Sequence, residues 1–190
     1  MLFSIVEQIA LDLKPKIPGL GLIAGLVTTT LLESDKKVKR LPRAANLSDD
    51  ECNAREQVLV LPDGKNTAMI FFVEGTTVFE EVKADKCARV KSEVDLVCWW
   101  NTKRLDTTRD NFIATMIKSM PATITPLQNA KMIQIRYRGQ SSENVFDKWT
   151  LEEERNQFLM LPYDFFVLKY DVSYLSTWDC VTDINEIAPC

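Results

Sequence analysis

The chain begins with apolar residues spaced three and four positions apart. Leu2, Ile5, Val6, Ile9 and Leu13 would lie on one face of a helix. The stretch 15–19 holds two prolines and a glycine, which would end that helix. We expect the apolar stripe to pack on a sheet, since short helices gain most of their stability from packing. An exposed helix that seeks a partner is the alternative.

Strand-like segments follow the helix. Residues 20–32 are small, apolar and β-branched, which favours a strand with glycine bends. Residues 34–56 form a polar excursion, typical of a solvated loop or an edge strand. Pro62, Asp63 and Gly64 separate two apolar runs, 57–61 and 67–73, and this pattern predicts a β-hairpin.

Two segments predict unusually long strands. Apolar and polar residues alternate within 87–101 and again within 163–178, as one buried and one wet face require. Sixteen residues extend roughly 53 Å, whereas a domain of this length is roughly 40 Å across. The strands must therefore bend, break or project, and a projecting strand lends itself to pairing with a neighbour's edge.

A second helix is predicted for 107–120, with Thr107 as its cap and Pro121 after its end. Its apolar stripe is Phe112, Ile113, Met116, Ile117 and Met120. The fold class predicted is α+β in a single domain, 1–190. An N-terminal helix and a central helix would pack on one face of a mostly antiparallel sheet, with 33–56 and 138–157 as inserted loops or arms and the long strands projecting for oligomer contacts.

Several aromatic residues are candidates for a subunit interface. The adjacent Trp99 and Trp100 would point to opposite faces of a strand, so one should be core and the other should meet solvent, a loop or another subunit. An exposed tryptophan is a good interface anchor. The candidates are Trp99, Phe146, Trp149, Tyr163 and Phe165. The alternative is that these aromatics only pin loops to their own domain; if they are interface residues, replacing Trp99 or Trp149 impairs assembly more than folding.

The composition and motifs exclude several kinds of catalytic and binding site. The chain has no histidine, which excludes catalytic triads that use imidazole and histidine zinc sites. The glycines in GLGLIAG lack the order of a nucleotide-binding loop. The net charge of −4 gives no positive field to attract nucleic acid. We assign no catalytic, cofactor-binding or metal-binding residue and do not expect an enzyme.

The element order resembles that of phage neck and tail-completion ring proteins, in particular the tail-terminator-like family. The segments that carry the likeness are LFSIVEQIALDLK, VKSEVDLVCWW, DNFIATMIKSM and PYDFFVLKYDVSYLSTWDC. The resemblance implies a sixfold or twelvefold homo-oligomeric ring that joins head to tail, with portal, neck or tail proteins as neighbours. DNA would pass through it without sequence-specific binding. The subunit would reside in the virion after assembly in the host cytoplasm, with no membrane partner.

Two other classes stay open. The acidic clusters, Glu80, Glu81 and Asp85 together with residues 152–154, could serve a metal-dependent nuclease if they converge in space. A monomeric adaptor domain from a mobile element could grip a partner through Phe146 and Trp149.

Overall fold

The computed structural model describes residues 1–17, 19–34, 37–47, 56–83, 87–127, 130–141, 143–151 and 156–177. Within these residues the chain forms two α-helices and eight strands. The helices are α1 (Leu2–Leu13) and α2 (Arg109–Ser119). The strands are β1 (Leu22–Leu26), β2 (Thr28–Ser34), β3 (Lys37–Ala45), β4 (Gln57–Leu59), β5 (Ala68–Lys83), β6 (Cys87–Asn101), β7 (Ala130–Ser141) and β8 (Tyr163–Thr177).

The main sheet has five strands in the order β1-β5-β6-β8-β7. Its neighbours are antiparallel except for β1, which runs parallel to β5. The two strands predicted to be long pair with each other without interruption, from Cys87 opposite Thr177 to Asn101 opposite Tyr163. The predicted α+β class with a mostly antiparallel sheet is confirmed.

Both helices pack on one face of the main sheet. The α1 side chains Ile5, Ile9 and Leu13 are fully buried in the same cluster as the sheet residues, so the predicted apolar stripe is confirmed as a packing face. From α2, the Phe112 ring lies 5.1 Å from that of Trp100, edge to face. This arrangement is favourable for aromatic pairs and anchors α2 over the sheet.

The predicted hairpin between 57–61 and 67–73 is wrong. The turn itself exists, since Asp63 Oδ1 accepts the backbone N–H groups of Lys65 and Asn66 at 2.9 and 3.0 Å. However, β4 pairs with β3 in a separate three-stranded sheet of order β2-β3-β4. Turn chemistry specifies a local change of direction and leaves open which strands then pair.

The region 20–32 also differs from the single strand that was expected. It forms β1 in the main sheet and β2 in the small sheet, with Val27 between them. Similarly, β7 extends to Ser141, so residues 138–141 are strand and not the start of a loop. The loop that follows contains a short 3₁₀-helix, Val145–Lys148.

The cap of α2 lies one residue later than predicted. Thr108 has extended backbone geometry and its hydroxyl accepts the N–H of Asn111 at 3.3 Å. Asp110 lies in the first turn, where its charge complements the helix dipole. The Thr107 hydroxyl reaches only the Thr108 carbonyl oxygen, at 3.4 Å.

Replacing Thr108 should therefore destabilise the protein more than replacing Thr107. Thr108→Ala is expected to lower the free energy of unfolding by about 1 kcal/mol, because an N–H of the first turn loses its acceptor. Thr107→Ala is the matched control and should cost less than about half of that. Urea denaturation of both variants measures the difference; equal losses would show that Thr108 is not the cap.

Tyr170 carries a buried hydroxyl in the core beneath the helices. Its ring is almost fully buried, and within the described residues its oxygen has no hydrogen-bond partner. Burial raises the pKa of Tyr170 above the ordinary 10.0, because the phenolate would lose its hydration.

Tyr170 should make the fold labile to alkali. A phenol whose folded-state pKa is raised stabilises the protein fully below pH 10.0 and loses that contribution as the pH rises further. Tyr170→Phe is expected to reduce the alkaline loss by up to about 1.4 kcal/mol per pH unit and to cost little at pH 7. Tyr174→Phe is the contrast, since Tyr174 also has a raised pKa through burial but shares a hydrogen bond with Ser92. Tyr174→Phe should therefore lose stability already at pH 7. Thermal unfolding from pH 7 to 11 tests both variants. If the dependence of stability on pH is unchanged in Tyr170→Phe, the assignment of the alkaline loss to Tyr170 is contradicted.

Candidate assembly surfaces

An aromatic cluster fills the sheet face opposite the helices. The five residues predicted as a subunit interface all belong to it. Trp99 and Phe146 are fully buried and Trp149 is nearly so, while Tyr163 and Phe165 are partly buried. The cover is supplied by residues 143–151 and 156–159 of the same chain.

Ring contacts and two indole hydrogen bonds hold this cover in place. Trp99 stacks on Tyr163 with ring centroids 5.2 Å apart, and Phe146 meets Phe165 edge to face at 5.3 Å. The indole N–H of Trp99 donates to the carbonyl oxygen of Phe158 at 2.6 Å, and that of Trp149 to the Thr29 hydroxyl at 3.3 Å. The structure thus brings the predicted residues together but covers most of them with their own chain. Their contact with another subunit stays a prediction, for which Tyr163 and Phe165 retain some accessible surface.

With Trp99 buried in its own chain, its replacement should affect folding first. Trp99→Ala is expected to cost about 3–5 kcal/mol of unfolding free energy, because it leaves a large cavity under the cover formed by residues 143–151 and 156–159. Trp99→Phe keeps most of the packing and should cost less than Trp99→Ala. Leu161→Ala, at an exposed position, is the control and should change little. Denaturant unfolding of monomeric samples checks this, and a near-neutral Trp99→Ala would refute the core role.

Further along the same face the cluster gives way to charges. The buried carboxylate of Asp171 on β8 lies 3.3 Å from Lys91 Nζ on β6 and 3.4 Å from the Arg138 guanidinium on β7. Arg138 also forms a hydrogen-bonded ion pair with Glu93, and this bond lowers the pKa of Glu93. A buried charge persists only when it is paired, so the network fastens β6, β8 and β7 to one another.

A shallow concavity of about 300 Å³ lies at the far end of the long strands, beside Glu80, Arg89 and Met132. Met132 sits at a β-bulge with φ of 52°, a left-handed conformation that is uncommon for a residue with a side chain. Its side chain is exposed. The rest of the lining of the concavity is formed by Gln134, Ser173, Tyr174 and Leu175.

The β2–β3 hairpin, Thr28–Ser34 with Lys37–Ala45, is an arm whose outer part is exposed to solvent on both faces. Leu31, Leu32 and Val38 are exposed by 63%, 49% and 56%. Leu31 and Leu32 are adjacent in a strand, so their side chains point to opposite faces. The arm is tied to the body near its middle, where the Arg40 N–H donates to the Thr150 hydroxyl at 3.0 Å and the Thr150 N–H donates to the Arg40 oxygen at 2.9 Å.

A second exposed apolar surface lies on the outer β5 segment, residues 74–83. Val78 and Phe79 are exposed by 50% and 64%. The pairing of β1 with β5 ends at Leu26 opposite Phe72, and within the described residues no other strand pairs with the outer edge of β5 beyond that point.

The sequence pattern predicted a loop or arm at 33–56, which overlaps the β2–β3 hairpin, but it did not identify the exposed apolar residues of the arm or of the outer β5 segment. A usable signal was present, since adjacent apolar pairs such as Leu31–Leu32 and Val78–Phe79 must place one member on each face of a strand. Whether a second face is covered depends on distant parts of the chain.

No family model, curated protein or solved structure matches the chain in comparisons with known proteins. Among the described residues, neither helix is long and apolar enough to cross a membrane. In that same part of the chain, no three His, Cys, Asp or Glu side chains form a group that could hold a metal ion. Asp85 and residues 152–154 lie outside the described residues.

Proposed function

We propose that this chain is a virion structural protein of a tailed phage, one subunit of a ring at the neck or at the head-proximal end of the tail. The observation that supports this proposal is uncovered apolar β surface at two separate places, the arm and the outer β5 segment. Each surface belongs to a strand with one edge that has no partner strand among the described residues, and such edges favour pairing with another chain.

Two different surfaces on one chain favour a head-to-tail contact. When a patch on one subunit binds a different patch on the next, the assembly grows by rotation and closes into a ring or continues as a filament. A ring of six or twelve copies, seated against portal, neck or tail proteins, uses this contact. The role of the subunit is structural: it connects its neighbours in the virion and performs no catalysis.

The charge balance suits a DNA passage. With a net charge of −4, the subunit has no overall positive field that would release counterions from DNA and hold it. DNA can then move through the ring without sequence-specific binding.

The mass of the purified protein tests this proposal. Light scattering should give six or twelve times the 21.7 kDa of one chain, and electron microscopy should show rings with a central passage. A monomer at every protein concentration and salt concentration, or a closed twofold dimer, would contradict it. DNA cleavage that requires a divalent metal and stops on chelation would instead support the nuclease alternative.

A further inference from the structure

We propose that the arm of one copy binds along the outer β5 segment of the next copy, and that this contact is the repeating joint of the ring. The inference rests on the proposed function, since it assigns the two surfaces to each other. The occupant of each surface is therefore a second copy of this chain.

The two surfaces match in apolar content. The arm exposes Leu31, Leu32 and Val38, and the outer β5 segment exposes Val78 and Phe79, each by about half or more. Burying one such side chain fully is worth about 1.5–3 kcal/mol, so a joint that covers these residues is stabilised by the burial of apolar side chains from both surfaces.

Both surfaces also offer main-chain groups. β2 is an outermost strand of the three-stranded sheet, and within the described part of the chain no strand pairs with the outer edge of β5 beyond Phe72. An extended strand that joins an open edge adds a row of N–H to carbonyl hydrogen bonds. The pairing of β2 with β5 of a neighbour would therefore satisfy two open edges with one contact.

The charges of the two surfaces are opposite. Among the arm residues whose side chains the structure describes, three are basic, Lys39, Arg40 and Arg43, and one is acidic, Glu33. The outer β5 segment carries the acidic Glu74 and Glu80, and no described side chain of this segment is basic. Complementary charge steers encounter and disfavours like-with-like pairing, so arm-to-arm and edge-to-edge contacts are penalised while arm-to-edge contact is favoured.

A basic arm could also contact DNA phosphates, but its exposed side chains favour a protein surface. Leu31, Leu32 and Val38 gain nothing from a phosphate backbone, whereas they are stabilised by burial on an apolar strand. An isolated two-stranded ribbon is only marginally stable in water, so the outer part of the arm also benefits from a third strand.

A mixing experiment tests the joint. Leu31→Glu disables the arm and Phe79→Glu disables the edge, and both sites are largely exposed, so each monomer should keep its fold. Each variant alone should lose the ring. An equimolar mixture should form a heterodimer, because the intact arm of Phe79→Glu can bind the intact edge of Leu31→Glu. The heterodimer should not grow further, because its free arm and its free edge both carry a substitution. Met160→Glu, exposed by 68% outside both surfaces, is the matched control and should form wild-type rings.

The outcomes separate this joint from the proposed function. A wild-type ring with both variants still forming rings would overturn the joint and leave the proposed function standing, whereas a wild-type monomer would contradict both. Ring mass unchanged in Leu31→Glu together with weaker DNA retention would assign the arm to DNA. Circular dichroism checks the fold of each variant, and Leu32→Glu with Val78→Glu repeats the test if either first variant unfolds.

Charge reversal gives an independent check. Arg40→Glu and Glu80→Arg should each weaken assembly about tenfold or more, since like charges then face each other across the joint. The double variant restores opposite charges and should recover most of the loss. Lys103→Glu, at an exposed position on the loop after β6, should behave as wild type. Additive losses in the double variant would contradict the assignment of the two surfaces to each other.

Discussion

The continuous pairing of β6 with β8 is the interaction on which the rest of the structure depends. Fifteen residues of each strand pair in one unbroken antiparallel register. That register gives the sheet two apolar faces over half its length, with Trp100 on one and Trp99 on the other. Apolar surface on both faces requires cover on both sides, and the chain supplies it differently for each.

One face is covered by regular secondary structure and the other by an irregular segment. The helices bury their stripes against Trp100 and its neighbours, while residues 143–151 and 156–159 cover Trp99 and are held by aromatic contacts and two indole hydrogen bonds. Where this cover ends, the face changes to the ion pairs around Asp171. The long strands can extend past the aromatic cluster because this part of the face carries paired charges. Paired charges can contact water, so this part of the face needs no cover.

The cover stops short at the edge of the sheet. β1 shields β5 only as far as Phe72, and the chain leaves the main sheet at that level to build the arm. Among the described residues, β2 and the outer part of β5 each have one edge with no paired strand. These two unpaired edges are the feature of the fold on which the proposed head-to-tail assembly rests.

Local patterns in the sequence determined the elements whose signal lies within a few residues. The α1 stripe, the extent of β6 and β8 and the presence of α2 follow from periodicity, because side-chain spacing in a helix or strand is a property of the segment itself. Tertiary structure alone decided that β4 joins β3, that β1 runs parallel to β5, and that Trp99 is covered by residue 158 of its own chain. It also decided which apolar residues of β2 and β5 remain exposed. These outcomes depend on which distant segments compete for the same edge or face, and that competition is settled by packing in three dimensions.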